Sequence, residues 1–164
     1  MNISAFSMKM YSTIIQHYYN FFERNIFIGK NVGIRKGFYL RAGEDATIHI
    51  GEGCFFNRCF SGVAYSRIKI GDNCIFGENV KIYDHNHIFN RKDVLIKKQG
   101  FNIKDVVIGN NVWIGSNVTI LKGVTIGNNC VIAAGCVIKE DVPSDAVVSM
   151  DIRMRTTPIE YINI

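Results

Sequence analysis

The residues best suited to chemistry lie in one short stretch, KIYDHNHIFN from Lys81 to Asn90, where Asp84 is followed by His85 and His87. Imidazole titrates near neutrality, with an unperturbed pKa of about 6.5, so a histidine placed here can take a proton from a hydroxyl as that hydroxyl attacks. Alternate residues of an extended strand point the same way, so the pair also fits a metal ion. Asp84 suits two roles, fixing an imidazole tautomer or ending a structural element, and the second is the simpler. A histidine in an arbitrary loop is ordinarily just solvated. What lends weight to this pair is its place in the chain.

Those elements are set by a period of six. From Ile108 an aliphatic residue returns at Ile114, Ile120, Ile126, Ile132 and Ile138, and a second row of modest side chains follows four residues later at Val112, Val118, Val124, Cys130, Cys136 and Val142. The frame reads back through Ile70, Phe76 and Ile82 with Cys74 and Val80, and through Ile28, Ile34 and Leu40 with Val32. Between Leu40 and Ile70 it falters, passing Ile50 and Phe56 but meeting Gly62 where an aliphatic residue is expected. Six is neither the helical 3.6 nor the alternation of a long strand. Short strands joined by polar turns, three to a coil, satisfy it, with stacked coils burying a continuous core. Asn and Gly fill the turn slots, where positive φ is cheap. From Ile82 to Ile108 is 26 residues, four hexads and two more, so the frame breaks at the histidines.

Composition narrows the class. The chain has 164 residues, one domain's worth, with 48% apolar and 20% charged residues and a formal charge of +5. No Lys/Arg run exceeds two residues and no recognition motif appears, which argues against a nucleic-acid partner. Of five cysteines, Cys54, Cys74, Cys130 and Cys136 take the slot that Val otherwise occupies and read as packing residues; Cys59 lies one position earlier in its hexad. An odd number without CxxC or zinc spacing favours reduced thiols and a cytoplasmic location. Residues 1–25 form the first unit, an amphipathic helix whose Met10, Ile14, Ile15, Tyr18, Phe21 and Phe22 are expected to pack on the protein or on a neighbouring subunit. Peripheral membrane attachment of this helix is the second reading. The repeat domain then spans 26–150, and 151–164 form a tail.

The segment VVIGNNVWIGSNVTILKGVTIGNNCVIAAGCVIKEDVP, Val106 to Pro143, resembles the hexapeptide-repeat acyltransferases, particularly the galactoside and maltose O-acetyltransferase type and its relatives in surface-polysaccharide biosynthesis. The likeness extends over about Ile48 to Pro143. It implies an all-β fold, a left-handed parallel β-helix, assembled as a homotrimer with acetyl-CoA in the groove between two prisms and no metal. The family's histidine in IYxxxH falls on His87, implying that His87 is the general base and 88–104 a projecting loop whose KKQG matches the family's run before the repeat resumes. The resemblance further implies an oxyanion donor in the Ser116 N–H, acceptor contacts from Asn57 and Trp113, and a backbone contact from Ala134 to the pantetheine arm. For the 3′-phosphate of CoA it leaves Lys139, Arg153 and Arg155 as cations, with the usual Thr-Lys replaced by Lys139-Glu140. His85 and Asp84 then have supporting roles, while a turn residue and a shield over the prism face are the plain readings of Asn57 and Trp113. The function implied is acetyl-CoA-dependent O-acetylation of a sugar hydroxyl in capsule, lipopolysaccharide or related glycan assembly. N-acetylation of an amino-sugar nucleotide is the alternative, and a γ-class carbonic anhydrase-like metal site or a non-catalytic scaffold are remote ones.

Overall fold

The computed structural model describes residues 3–150, with side chains from residue 7 onward. The tail 151–164, with Arg153 and Arg155, lies outside the described residues. Each hexad contributes a strand of two to four residues and a turn. Asn31, Asn73, Asn79, Asn111, Asn117, Asn129 and Asp145 stand in these turns at φ between 54° and 62°, a region that short polar side chains tolerate better than other non-glycine residues do.

The strands stack as three parallel sheets that form the faces of a prism. The first face holds Ile26–Ile28, Thr47–Ile50, Arg67–Ile70, Val106–Ile108 and Thr125–Ile126. The second holds Gly33–Ile34, Phe55–Phe56, Ile75–Phe76, Trp113–Ile114, Val131–Ile132 and Val147–Val148. The third holds Tyr39–Ala42, Ser61–Ala64, Lys81–Tyr83, Thr119–Ile120 and Val137–Ile138. Both predicted rows point inward: Ile34, Ile82, Ile114 and Ile120 are fully buried, as are Val80, Val118, Cys74 and Cys136. Cys54, Cys74 and Cys130 each place Sγ 3.1 Å from a carbonyl of the next coil, at Gly71, Gly109 and Pro143. The adjoining Cys74 thiol and burial together push the Cys54 thiol well above its ordinary pKa. Cys59 is exposed and occupies a turn apex at φ 60°.

Gly62 breaks the aliphatic row because its neighbours have taken the space. Phe38, Phe56, Phe60 and Phe76 cluster with ring centroids 4.6 to 5.4 Å apart. A Cβ on Gly62 would stand 3.0 Å from Leu40 Cδ2 and 3.6 Å from Phe60 Cε1, so large residues in the small row are matched by a missing one in the large row. The irregular spacing has one location. Leu40 to Ile50 takes ten residues, Gly62 to Ile70 eight and Ile82 to Ile108 twenty-six, and each excess falls at the corner between the third and first faces.

Helix α1 (Ile3–Phe22) lies across the open end of the first coil, and of the two partners expected for its apolar stripe, this protein or a neighbouring subunit, the first is corrected. The helix packs by a polar stripe that satisfies backbone groups of the sheet edge. Ser12 accepts from Ile34 N–H at 2.8 Å and lies 3.1 Å from its carbonyl. Gln16 donates to the Val32 carbonyl, Asn20 brackets the N–H and C=O of Ile28, and the Tyr19 hydroxyl accepts from Leu40 N–H. Ile15 alone of the predicted stripe packs partly against the core; Met10, Ile14, Tyr18, Phe21 and Phe22 face outward. The physical reason is that an unpaired edge of N–H and C=O groups binds amide and hydroxyl side chains more strongly than it binds hydrocarbon.

Candidate active site

The break at the histidines is a hairpin. The chain leaves the stack at Asp84 and rejoins at Asp105, and His85–His87 pairs antiparallel with Phe101–Ile103. Both histidines therefore ride on the projection. Ile88 N–H donates to Gly100 at 3.0 Å and Lys104 N–H to Asp84 at 2.8 Å, closing the ladder at both ends. Gln99, from the KKQG run, ties the outer loop together, accepting from Arg91 N–H and donating to the Arg91 and Val94 carbonyls.

The two histidines differ in what holds them. Asp84 is fully buried and accepts from the N–H groups of Tyr65 and Ser66 at 2.9 and 2.6 Å, and its Oδ1 lies 3.0 Å from His85 Nδ1. A carboxylate accepts and does not donate, so in this pair Nδ1 carries the proton and Nε2 is left with the lone pair. The His85 ring, 14% exposed, is walled by Tyr65, Phe101 and Tyr83 at 4.3, 5.3 and 6.1 Å. His87 is exposed and touches Phe101 at 4.5 Å. No hydrogen bond restrains its ring among the described residues. Asp84 thus does more than end the coil: it anchors the projection to the stack. Tyr65, Ser66 and Phe101 were missed by the sequence reading. Their signal was the two-residue excess after Gly62, which falls at the same corner as the histidines.

A second group stands on the corner between the second and third faces. There the second residue after each strand of the second face occupies one column, which includes Arg58, Glu78, Ser116 and Ala134. On the neighbouring corner the equivalent column bonds coil to coil through side-chain acceptors: Glu52 N–H donates to Asp72, Asp72 to Asn110, Asn110 to Asn128, and Asn128 to Ser144. The Ser116 column begins the same way, with Glu78 N–H donating to Ser116 Oγ at 3.1 Å. Ala134 then offers no acceptor. The Ser116 N–H consequently donates to no atom among the described residues, and neither does the Ala134 N–H, whose acceptor would have to come from the coil beyond. Only glycine fits beneath them, since a Cβ on Gly77 would come within 2.5 Å of Ser116 N and one on Gly115 within 2.6 Å of Ala134 N.

Asn57 lies lower on this corner, its Oδ1 accepting from Arg58 N–H at 2.9 Å and from Arg35 at 3.3 Å, which is the turn role combined with a surface contact. Trp113 is exposed on the outer side of the second face, in register with Ile75 and Val131. Asn57, Trp113, Ser116 and Ala134 therefore share one edge of the prism. The hairpin with Asp84, His85 and His87 leaves from the opposite edge of the third face, the length of one hexad away, at most about 20 Å for extended backbone. Lys139 follows the strand Val137–Ile138 at the hairpin's own corner, near the far end of the stack. Among the described residues no three His, Cys, Asp or Glu side chains cluster as metal ligands, and no helix is long and apolar enough to cross a membrane.

Comparison with known proteins gives the same frame. Residues 105–140 match the bacterial transferase hexapeptide family (six repeats). The chain resembles a hexapeptide-repeat acetyltransferase of Vibrio cholerae solved with acetyl-coenzyme A, at 27% identity over 85% of this chain and 71% of that one, TM-score 0.65. In another structure of that Vibrio protein the match is 29% identical and spans 66% of its length. A galactoside acetyltransferase in complex with coenzyme A matches at 28% identity over 90% of this chain and 78% of that chain, TM-score 0.66. A maltose O-acetyltransferase from Clostridium difficile matches at 25% identity over 89% and 83%, TM-score 0.57. No curated protein sequence matches significantly. The fold anticipated from the repeat, the hexapeptide β-helix, is the one these proteins share.

Proposed function

We propose that this hexapeptide-repeat chain is an acetyl-CoA-dependent O-acetyltransferase that acts on a sugar hydroxyl in surface-glycan assembly. The observation that carries the proposal is the gap at Ala134. It leaves the Ser116 N–H without an acceptor among the described residues, one coil from the equally unpaired Ala134 N–H, on one corner of a solenoid similar to acetyltransferases solved with CoA. An N–H fixed by the backbone and aimed at no protein acceptor suits a thioester oxygen that gains negative charge, and one such donor is worth about 3 kcal/mol to the barrier. The Ala134 N–H, one coil above, suits an amide of the pantetheine arm, and Lys139 is a cation for the 3′-phosphate; Arg153 and Arg155 remain candidates beyond the described residues.

His87 is the proposed base. Its exposed imidazole takes the proton of the sugar hydroxyl as the oxygen bonds to the thioester carbon, and returns it to the CoA sulfur as the carbon–sulfur bond breaks. Asp84 and His85 keep the hairpin in place. Asn57 and Trp113 line the acceptor side, an amide for hydroxyls and an aromatic face for the ring. Because the hairpin and the donor corner lie on opposite edges of one face, the complete site is proposed to form between prisms of a homotrimer, one supplying His87 and the next Ser116.

The test is a screen of acetyl-CoA turnover against sugars, oligosaccharides and amino-sugar nucleotides, read by mass spectrometry. An acetyl ester labile to hydroxylamine is the expected product, whereas a stable amide would assign N-acetylation. CoA at a hundred times its dissociation constant is expected to stabilise the fold by about 2.7 kcal/mol. Absence of that stabilisation would leave a scaffold without CoA chemistry.

A further inference from the structure

The outward stripe of α1 is the feature that the proposed chemistry leaves unused. Met10, Ile14, Tyr18, Phe21 and Phe22 form one continuous strip, with Phe21 75% and Phe22 69% exposed. The polar side of the same helix is committed to the first coil through Ser12, Gln16, Tyr19 and Asn20, so the helix cannot roll its apolar side inward without breaking those bonds. Cations lie along the helix and on the first coil beneath it, and one carboxylate, Glu23, accepts from the Tyr18 hydroxyl at 3.4 Å. Lys9 sits beside Met10 and Ile14, Arg24 follows the helix, and Lys30 and Lys36 stand exposed on two turns of the first coil. Residues 7–45 carry six Lys/Arg against three Asp/Glu, a surplus of three out of the chain's net +5. None of these cations is in an ion pair among the described residues.

We infer that the α1 end of the prism is a docking face for an anionic lipid surface, the helix lying in the interface plane with its five apolar side chains in the acyl boundary and the cations at headgroup level. A second copy of the chain is the less fitting occupant. End-to-end pairing would place one positive rim against another, whereas anionic headgroups complement it. In a threefold arrangement of parallel prisms, which rests on the trimer proposed above, the three helices lie at one end and share a plane, so a flat surface can engage all of them together.

The experiment is co-sedimentation of the full chain with phosphatidylcholine vesicles and with phosphatidylcholine/phosphatidylglycerol 3:1 vesicles. Binding to the anionic vesicles at least tenfold stronger than to the neutral ones is expected, as is its weakening at 0.5 M NaCl. Ile14→Asp with Phe21→Asp should reduce binding at least tenfold while stabilisation by CoA and oligomeric mass stay as in the parent. Phe21→Trp supplies a second readout, a blue shift of emission on addition of anionic vesicles. Equal failure of parent and variant to bind either vesicle overturns the inference, and so does a doubling of parent mass in solution that Ile14→Asp abolishes. Loss of CoA stabilisation in the parent would count against the acetyltransferase reading and leave the lipid result standing on its own.

Discussion

The two corners of the third face, which the proposed function joins in one site, depart from the repeat by opposite routes. At the donor corner the repeat runs on undisturbed and one side chain is removed, Ala134 standing where a polar residue would accept from the coil below, so that the Ser116 N–H has no acceptor among the described residues. At the hairpin corner the repeat is interrupted and twenty-two residues, Asp84 to Asp105, are added between strands, with a buried carboxylate fixing their root. A stacked solenoid offers only repeated surfaces. Under the proposed function it acquires a reacting site by deleting from one column and inserting into another.

The contrast can be tested at both corners. The largest effect is expected from His87→Ala, lowering kcat by about 10²–10⁴ with CoA stabilisation and assembly unchanged; His85→Ala should chiefly lower thermal stability by loosening the hairpin. If only His85→Ala abolishes turnover, the two roles are exchanged. Next comes Ala134→Ser, which extends the ladder as Ser144 does for Asn128 and gives Ser116 N–H an acceptor. Turnover should fall by about 10²–10³ while the melting temperature holds or rises. A kcat unaffected by that hydroxyl would remove Ser116 from the chemistry. Gly115→Ala drives a Cβ into Ala134 N and should cost about 1–3 kcal/mol in denaturant unfolding, with any activity loss following from the displaced coil. The smallest change is expected on the donor corner two coils below Ser116: Cys59→Asn, at φ 60°, should stabilise by up to about 1 kcal/mol.

The solenoid was legible in the sequence because every hexad sees the same surroundings, so one rule repeated from Ile108 to Ile138 describes them all. The break at Ile82 was legible for the same reason. What escaped were contacts between positions far apart in the chain. Asp84 looked like a terminator because its acceptor role depends on Tyr65 and Ser66, one coil below. That α1 meets its own chain by its polar side also escaped, because amphipathicity assumes that the polar side meets water; here it meets a sheet edge with N–H and C=O groups to satisfy. The vacancy at Gly62 became intelligible only with Phe60 beside it. The free Ser116 N–H was invisible in principle to any reading of Ser116 itself, being a property of the residue eighteen positions later.

The helix across the first coil also gives the molecule a direction of growth. With the outer backbone groups of Ile28, Val32, Ile34 and Leu40 already bonded to α1, the first coil presents a ready edge only toward the C-terminal side. Each later coil can then pack on the one before it, as nearest-neighbour stacking allows. Because α1 and the first coil leave the ribosome before the rest, synthesis and stacking run the same way. The helix that closes the prism is thus also placed to seed the stack during synthesis.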